Sequence, residues 1–212
     1  MHRPVSIKTK ICGVTSVEDA ELAVEAGAWA VGLIFHRPSP RACAPAEAER
    51  IAAAVRRRAL VAGVFLNHPL DQIARLHDRI GFDVVQLHGD EGAAFAAEVG
   101  RRTGAKVAKA ARVRDAGDVR HLDAFRSVDF HLVDGPGGGE TVDPALLRNR
   151  RSDIPLILAG GLTPENVAAA IEVVEPFAVD VASGVEAEPG HKDPERLRAF
   201  LAAVDGAAVP SR

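Results

Sequence analysis

The 212-residue chain contains no tyrosine, one tryptophan (Trp29), one methionine and two cysteines, Cys12 and Cys43. Two cysteines are too few for a disulfide framework, so a reducing, cytoplasmic setting is expected. With a formal net charge of −3 and few aromatic side chains, the chain lacks both the basic surface and the stacking platforms of a nucleic-acid binder. No apolar run approaches the roughly 18 residues that suggest a membrane span, and the opening Met1-His2-Arg3-Pro4 has no apolar signal region. Neither a nucleic-acid nor a membrane partner is therefore expected. The histidines His36, His68, His77, His88, His121, His131 and His191 form no helical i, i+4 pair and no cluster with cysteine, so no metal site is expected.

The composition is otherwise that of a globular protein, 47% hydrophobic and 26% charged. Short apolar runs alternate with longer, alanine-rich amphipathic ones. The apolar runs are Val5–Ile11, Trp29–Phe35, Leu60–Phe65, Val84–Leu87, Lys106–Ala110, Phe130–Val133, Leu156–Leu158 and Ala178–Val181. Helical patterns follow them at Val17–Ala26, Ala46–Arg57, Leu70–Arg79, Gly92–Arg102, Ala116–Phe125, Pro144–Arg148, Pro164–Val173 and Pro194–Val204. Thr163-Pro164-Glu165 and Asp193-Pro194-Glu195 each place a capping side chain before an N1 proline and an acid.

Strands alternating with helices predict parallel pairing through right-handed crossovers, and eight such units close a barrel. At 212 residues, about 26 per unit, the chain falls at the lower end of barrel lengths. A doubly wound open sheet is the alternative. Against it, the first strand-to-helix turn reads Cys12-Gly13-Val14-Thr15 rather than a glycine-rich dinucleotide fingerprint. No linker, low-complexity tract or charge block divides residues 1–212. The expected fold is α/β, a single-domain (β/α)8 TIM barrel.

A barrel keeps its chemistry at the carboxyl ends of its strands and in the loops that follow. Cys12 closes the first strand, and Lys10, two residues earlier, shares its face. A neighbouring cation lowers a thiol's pKa, so one reading is a reactive thiolate; the other is a buried cysteine acting as a small hydrophobe. Arg41, in the proline-stiffened loop His36-Arg37-Pro38-Ser39-Pro40-Arg41, can hold a carboxylate bidentately or simply be solvated. Gln86 and His88 share one face at the end of strand four, where hydrogen bonding in the mouth is favoured for His88 over an acid–base role. Lys109 ends strand five and can add positive charge there, although an outward surface lysine is the favoured reading.

Asp134 ends strand six just before Gly135-Pro136-Gly137-Gly138-Gly139, a run flexible enough to fold over a ligand. A carboxylate closing an apolar run is costly unless paired or exposed to a site, which makes Asp134 a candidate general acid; the alternative is a turn-forming aspartate. The loops after strands seven and eight carry Gly160-Gly161 and Ser183-Gly184. Barrel enzymes often grip phosphate there with backbone N–H groups, and two small glycine-bearing loops favour that over turn geometry alone. Asp180, at the end of strand eight, can accept a hydrogen bond from a substrate amine.

Lys10-Ile11-Cys12-Gly13, Ser39-Pro40-Arg41, Gly63-Val64-Phe65, Val85-Gln86-Leu87-His88-Gly89, Leu158-Ala159-Gly160-Gly161-Leu162 and Asp180-Val181-Ala182-Ser183-Gly184-Val185-Glu186 together closely resemble the phosphoribosylanthranilate isomerase family. The resemblance runs from Ile7 to about Phe200, and Gly190-His191-Lys192-Asp193 adds to its specificity. It implies a (β/α)8 enzyme of tryptophan biosynthesis that converts N-(5-phosphoribosyl)anthranilate to 1-(o-carboxyphenylamino)-1-deoxyribulose 5-phosphate. That is an Amadori rearrangement, an aldose-to-ketose isomerisation by general acid–base catalysis without a cofactor.

Matched by position, the resemblance implies Cys12 as base, Asp134 as acid, Arg41 on the anthranilate carboxylate and Asp180 on its amino group. It places the phosphate on Gly160, Gly161, Ser183 and Gly184, and counts Lys10 and His88 among the substrate-binding residues, with Lys10 favouring the Cys12 thiolate. The implied partner is a small phosphorylated substrate; a monomer is expected, with a homodimer as the alternative. The segment Gly137-Gly138-Gly139-Glu140-Thr141-Val142-Asp143 departs from the family pattern by lacking an aromatic residue. An indole-glycerol-phosphate synthase needs a lysine–glutamate set and a ribulose-phosphate epimerase needs metal-binding histidines; neither set is visible. A catalytically silent phosphate-binding barrel is the reading from another class.

Overall fold

A computed structural model describes residues 6–148 and 150–207. Eight parallel strands close a barrel: β1 (Lys8–Cys12), β2 (Ala30–Ile34), β3 (Leu60–Phe65), β4 (Val84–Leu87), β5 (Lys106–Arg112), β6 (Phe130–Asp134), β7 (Leu156–Ala159) and β8 (Ala178–Val181). Each pairs with the next, and β1 closes on β8 with Lys10 beside Asp180. Around them lie α1 (Val17–Glu25), α2 (Pro45–Val55), α3 (Leu70–Ile80), α4 (Ala93–Thr103), α5 (Ala116–Leu122), α6 (Pro144–Leu147), α7 (Val167–Val174) and α8 (Pro194–Asp205). The expected barrel is the observed one. Among the described residues no helix is long and apolar enough to cross a membrane.

Local chemistry accounts for most boundaries. Ser16, Asp115, Asp143 and Asp193 each turn a side-chain oxygen onto the first free N–H groups of a helix, as N-caps do. Two aspartates play a matching part at the strand starts. Asp83 precedes β4 and accepts from the Val61 N–H of β3, and Asp129 precedes β6 and accepts from the Val107 N–H of β5, both at 2.8 Å. Strand groups that would otherwise lack a partner are satisfied there.

Two starts shift by three residues. The first strand begins at Lys8, not Val5; Val5 itself lies outside the described residues, as do Met1 to Pro4 and the terminal positions 208–212. The helix expected from Pro164 begins at Val167. Asn166 accepts from the Thr163 N–H and donates to the Gly161 carbonyl, so its side chain ties residues 161–166 into a turn that delays the helix. A feature the periodicity did not predict follows β8: a short 3₁₀ turn (Ser183–Val185) and an antiparallel hairpin, β9 (Glu186–Glu188) and β10 (His191–Lys192).

Apolar residues fill two layers. One lies between strands and helices, with Ile11, Leu33, Phe65, Leu87 and Phe200 fully buried; the other fills the barrel with Ala62, Val84, Ala108, Phe130, Leu132 and Ile157. Trp29 packs edge-on against Phe130 and Phe177 at the amino ends of the strands. That end is sealed by aromatic rings, which leaves the carboxyl end for polar side chains.

Candidate active site

At the carboxyl ends of the strands lies a cavity of about 290 Å³. Cys12, Arg41, His88, Asp134, Gly160, Gly161, Asp180, Ser183 and Gly184 all line it. Ten residues were expected at the site, and Lys10 alone sits beneath the lining rather than in it. The loop after β6 also contributes, through Gly135, Gly137, Gly139 and Glu140, despite its missing aromatic.

Lys10 and Cys12 both face into the barrel. The Lys10 ammonium is almost fully buried and lies 2.9 Å from each oxygen of Asp180. Burial alone would lower the Lys10 pKa, but Asp180 and Cys12 together outweigh it and hold the ammonium above its ordinary value. Lys10 acts on Cys12 in the direction expected, favouring the thiolate, but it does not act alone. Burial pushes the Cys12 thiol up; Lys10 pulls it down, Asp180 pushes it up again, and the net direction is upward. The cation acts with the expected sign, yet desolvation of a thiolate costs more than the cation returns. Asp180, expected to await a substrate amine, meanwhile has both oxygens engaged by Lys10 while still reaching the cavity.

Gly32, paired with Cys12 across β1 and β2, makes room for this cluster. A methyl group there would lie 2.8 Å from the Cys12 sulfur and 3.0 Å from the Lys10 nitrogen. Gly32→Ala is expected to cost about 1–3 kcal/mol of stability by overpacking, checked by denaturant melts. An unchanged midpoint would show that Lys10 and Cys12 have room to move.

Arg41 is not the freely solvated loop residue of the alternative reading. Its Nε and Nη2 donate to both oxygens of Glu186 at 2.7–3.0 Å, which is the planar fork-on-carboxylate geometry of a strong pair. Glu186 also accepts from the Lys192 ammonium at 2.9 Å. Burial pushes the Glu186 carboxyl up, but Arg41 and Lys192 outweigh it and hold it below the usual carboxylate range.

Across the mouth, His88 Nε2 lies 3.5 Å from an Asp134 oxygen, and His88 Nδ1 lies 3.3 Å from the Gln86 amide nitrogen. His88 is thus tied into the mouth through Gln86 and Asp134. Gly160 and Gly161 both take positive φ, +87° and +61°. A methyl group on Gly160 would fall 2.7 Å from an Asp134 oxygen, so glycine lets the β7 loop close directly onto that carboxylate. Glycine-bearing turns of this kind can aim N–H groups into a concavity that suits an anion.

Lys109 departs from its expected exposure. It is buried, 2.9 Å from Glu91 and also donating to the Gly89 carbonyl, with the Phe125 ring 5.5 Å from its nitrogen. Glu91 in turn accepts from the Asn67 and Gly89 N–H groups, so this pair ties the loops after β3 and β4 together. Among the described residues no group of three or more His, Cys, Asp or Glu side chains is arranged to hold a metal ion.

Comparison with known proteins joins this geometry to a family. The family model for N-(5'-phosphoribosyl)anthranilate (PRA) isomerase matches residues 9–203. The chain belongs to the phosphoribosylanthranilate isomerase family. It is 46% identical to the N-(5'-phosphoribosyl)anthranilate isomerase of Geotalea daltonii over 202 residues, 92% of this chain and 94% of the relative. The phosphoribosylanthranilate isomerase of Thermotoga maritima superposes with a TM-score of 0.87 at 38% identity, covering 94% of this chain and 99% of that one. Another isomerase structure, solved in complex with reduced 1-(o-carboxyphenylamino)-1-deoxyribulose 5-phosphate, gives 0.86 at 37% identity with the same coverage.

Within this isomerase fold, sequence reasoning passed over Glu186 and Lys192. Both stand in motifs that carried the resemblance, but neither was given a role there. Their signal was available only as two charged residues in a segment with no strand or helix periodicity.

Proposed function

We propose that the chain isomerises N-(5-phosphoribosyl)anthranilate to 1-(o-carboxyphenylamino)-1-deoxyribulose 5-phosphate, with Cys12 as general base and Asp134 as general acid. The observation that carries this reading is a single cavity lined at once by Cys12, Asp134, Arg41 and both glycine-bearing loops. The substrate phosphate sits against the backbone of Gly160, Gly161, Ser183 and Gly184. The ribose then lies over the centre of the barrel, and the anthranilate carboxylate turns toward the remaining N–H groups of Arg41.

Asp134 gives its proton to the ribose ring oxygen. The bond from that oxygen to C1 breaks as the aniline nitrogen lone pair forms a carbon–nitrogen double bond. The resulting cation makes the C2 hydrogen acidic, and the Cys12 thiolate removes it. Its electrons form a C1–C2 double bond and return the nitrogen to neutrality. The enol then becomes the C2 ketone as its hydroxyl proton leaves and C1 gains a proton. C1 is reduced and C2 oxidised within one molecule, so no external redox group is needed. His88 and Gln86 order the Asp134 side of the mouth, and the Lys10–Asp180 pair supports Cys12 from below.

The test is direct. Purified protein with freshly made phosphoribosylanthranilate is expected to abolish the substrate's fluorescence at an enzymatic rate. A rate no faster than the spontaneous reaction would leave a phosphate-binding barrel without this activity.

A further inference from the structure

The hairpin of β9 and β10 holds two buried charges that the proposed chemistry does not use. Lys192 has a side chain wholly shielded from solvent and Glu186 is nearly so. The Lys192 ammonium donates to three acceptors: the Cys12 carbonyl at 2.7 Å, Glu186 at 2.9 Å and the Ala182 carbonyl at 3.3 Å. Glu186 takes both donors of Arg41, and its Oε1 also accepts the Gly190 N–H at 3.3 Å. Thr15 donates to the Gly190 carbonyl and Asp19 accepts the Lys192 N–H, so the turn after β1 and the start of α1 are pinned to the same hairpin.

We propose that Lys192 and Glu186 are positioning residues that lock the Cys12 strand end and the Arg41 guanidinium into one rigid frame. Through one ammonium, the carbonyl of Cys12 and that of Ala182, just before the Ser183–Gly184 loop, are held together. Through one carboxylate, Arg41 is held at a fixed angle beside them. Buried charges are costly, and these are kept because each has a full set of partners. The set carries two cations against one carboxylate, so a surplus positive charge stands beside the Cys12 strand end, where it favours the thiolate. Of that set Arg41, from the β2 loop, also faces Cys12, and the other charges facing it are Lys10 from β1 and Asp180 from β8. Asp134 and His88 face it across the cavity.

The inference rests on Cys12 and Arg41 having the roles given above, so its test includes a measurement that needs no turnover. In a Cys43→Ala background Cys12 is the sole thiol of the chain, so alkylation by iodoacetamide reports Cys12 alone. Lys192→Met is expected to move the alkylation profile to higher pH. The rate at a fixed pH below the midpoint should fall about tenfold, and kcat by a similar factor. An unshifted profile in a variant with native circular dichroism would overturn the proposal.

Should Lys192→Met not fold, Glu186→Gln keeps the shape and removes the charge that orients Arg41. It is expected to raise KM about tenfold with a smaller loss of kcat, the split expected when binding of the substrate carboxylate is disturbed. An unchanged KM there would equally sink it. If Cys12→Ser turns over normally, the assignment of the base fails while the alkylation profile still judges Lys192.

Discussion

Cys12→Ser is expected to lower kcat by about 10²–10⁴-fold, a barrier increase of roughly 2.7–5.5 kcal/mol, while leaving the fold intact. Serine keeps the size of the side chain, and Cys12 is buried in a close cluster with Lys10 and Gly32, so packing is preserved. What is lost is acidity, since a hydroxyl is a far poorer source of an anion at neutral pH than a thiol. Burial sets the Cys12 thiol above its ordinary value. The active thiolate is therefore the minor form at neutrality; because the acid must also hold its proton, kcat/KM should follow a bell-shaped pH profile, one limb of which is set by the Cys12 thiol. Cys12→Ser should flatten that limb. A variant with near-normal turnover and the same pH profile would remove Cys12 as the base.

Asp134→Asn is expected to cause a loss of similar size, on the order of 10²–10⁴-fold in kcat. Asparagine fills the same space against Gly160 and can still meet His88, but its amide cannot deliver a proton to the ring oxygen. The contact with the reacting oxygen strengthens only as the ring opens, so kcat and kcat/KM should fall together with KM little changed. His88 lies 3.5 Å from the same carboxylate and is the competing candidate. His88→Gln should therefore cost much less than Asp134→Asn. The reverse order in a steady-state assay would transfer the acid role to His88.

Several elements of this site were legible because the barrel turns sequence position into spatial position. Once eight strand and helix signals were counted, any residue closing a strand had to stand at the mouth, and Cys12, Asp134 and Asp180 did so by position alone. The glycine loops after β7 and β8 followed the same rule. Helix starts were harder where a side chain rewrote the backbone, as Asn166 does by folding the Thr163 turn before α7.

The charges were less legible. Lys109 looked like a surface lysine, because its exposure depends on Glu91 and Phe125 arriving from other units. The sign of Lys10's effect on Cys12 was readable from two residues on one face. The net direction was not, since it requires the burial that seven other strands impose and the carboxylate that β8 supplies.

The sequence by itself determined the alternation of strands and helices, the barrel, its family and the identity of the residues at its mouth. These follow from periodicity, caps and local motifs, which act over a few residues. Only the tertiary structure decided which charges pair, Lys10 with Asp180, and Arg41 and Lys192 with Glu186, at separations of up to 170 residues. Desolvation and Coulomb attraction depend on distance in space, and the chain sets that distance only when the barrel closes.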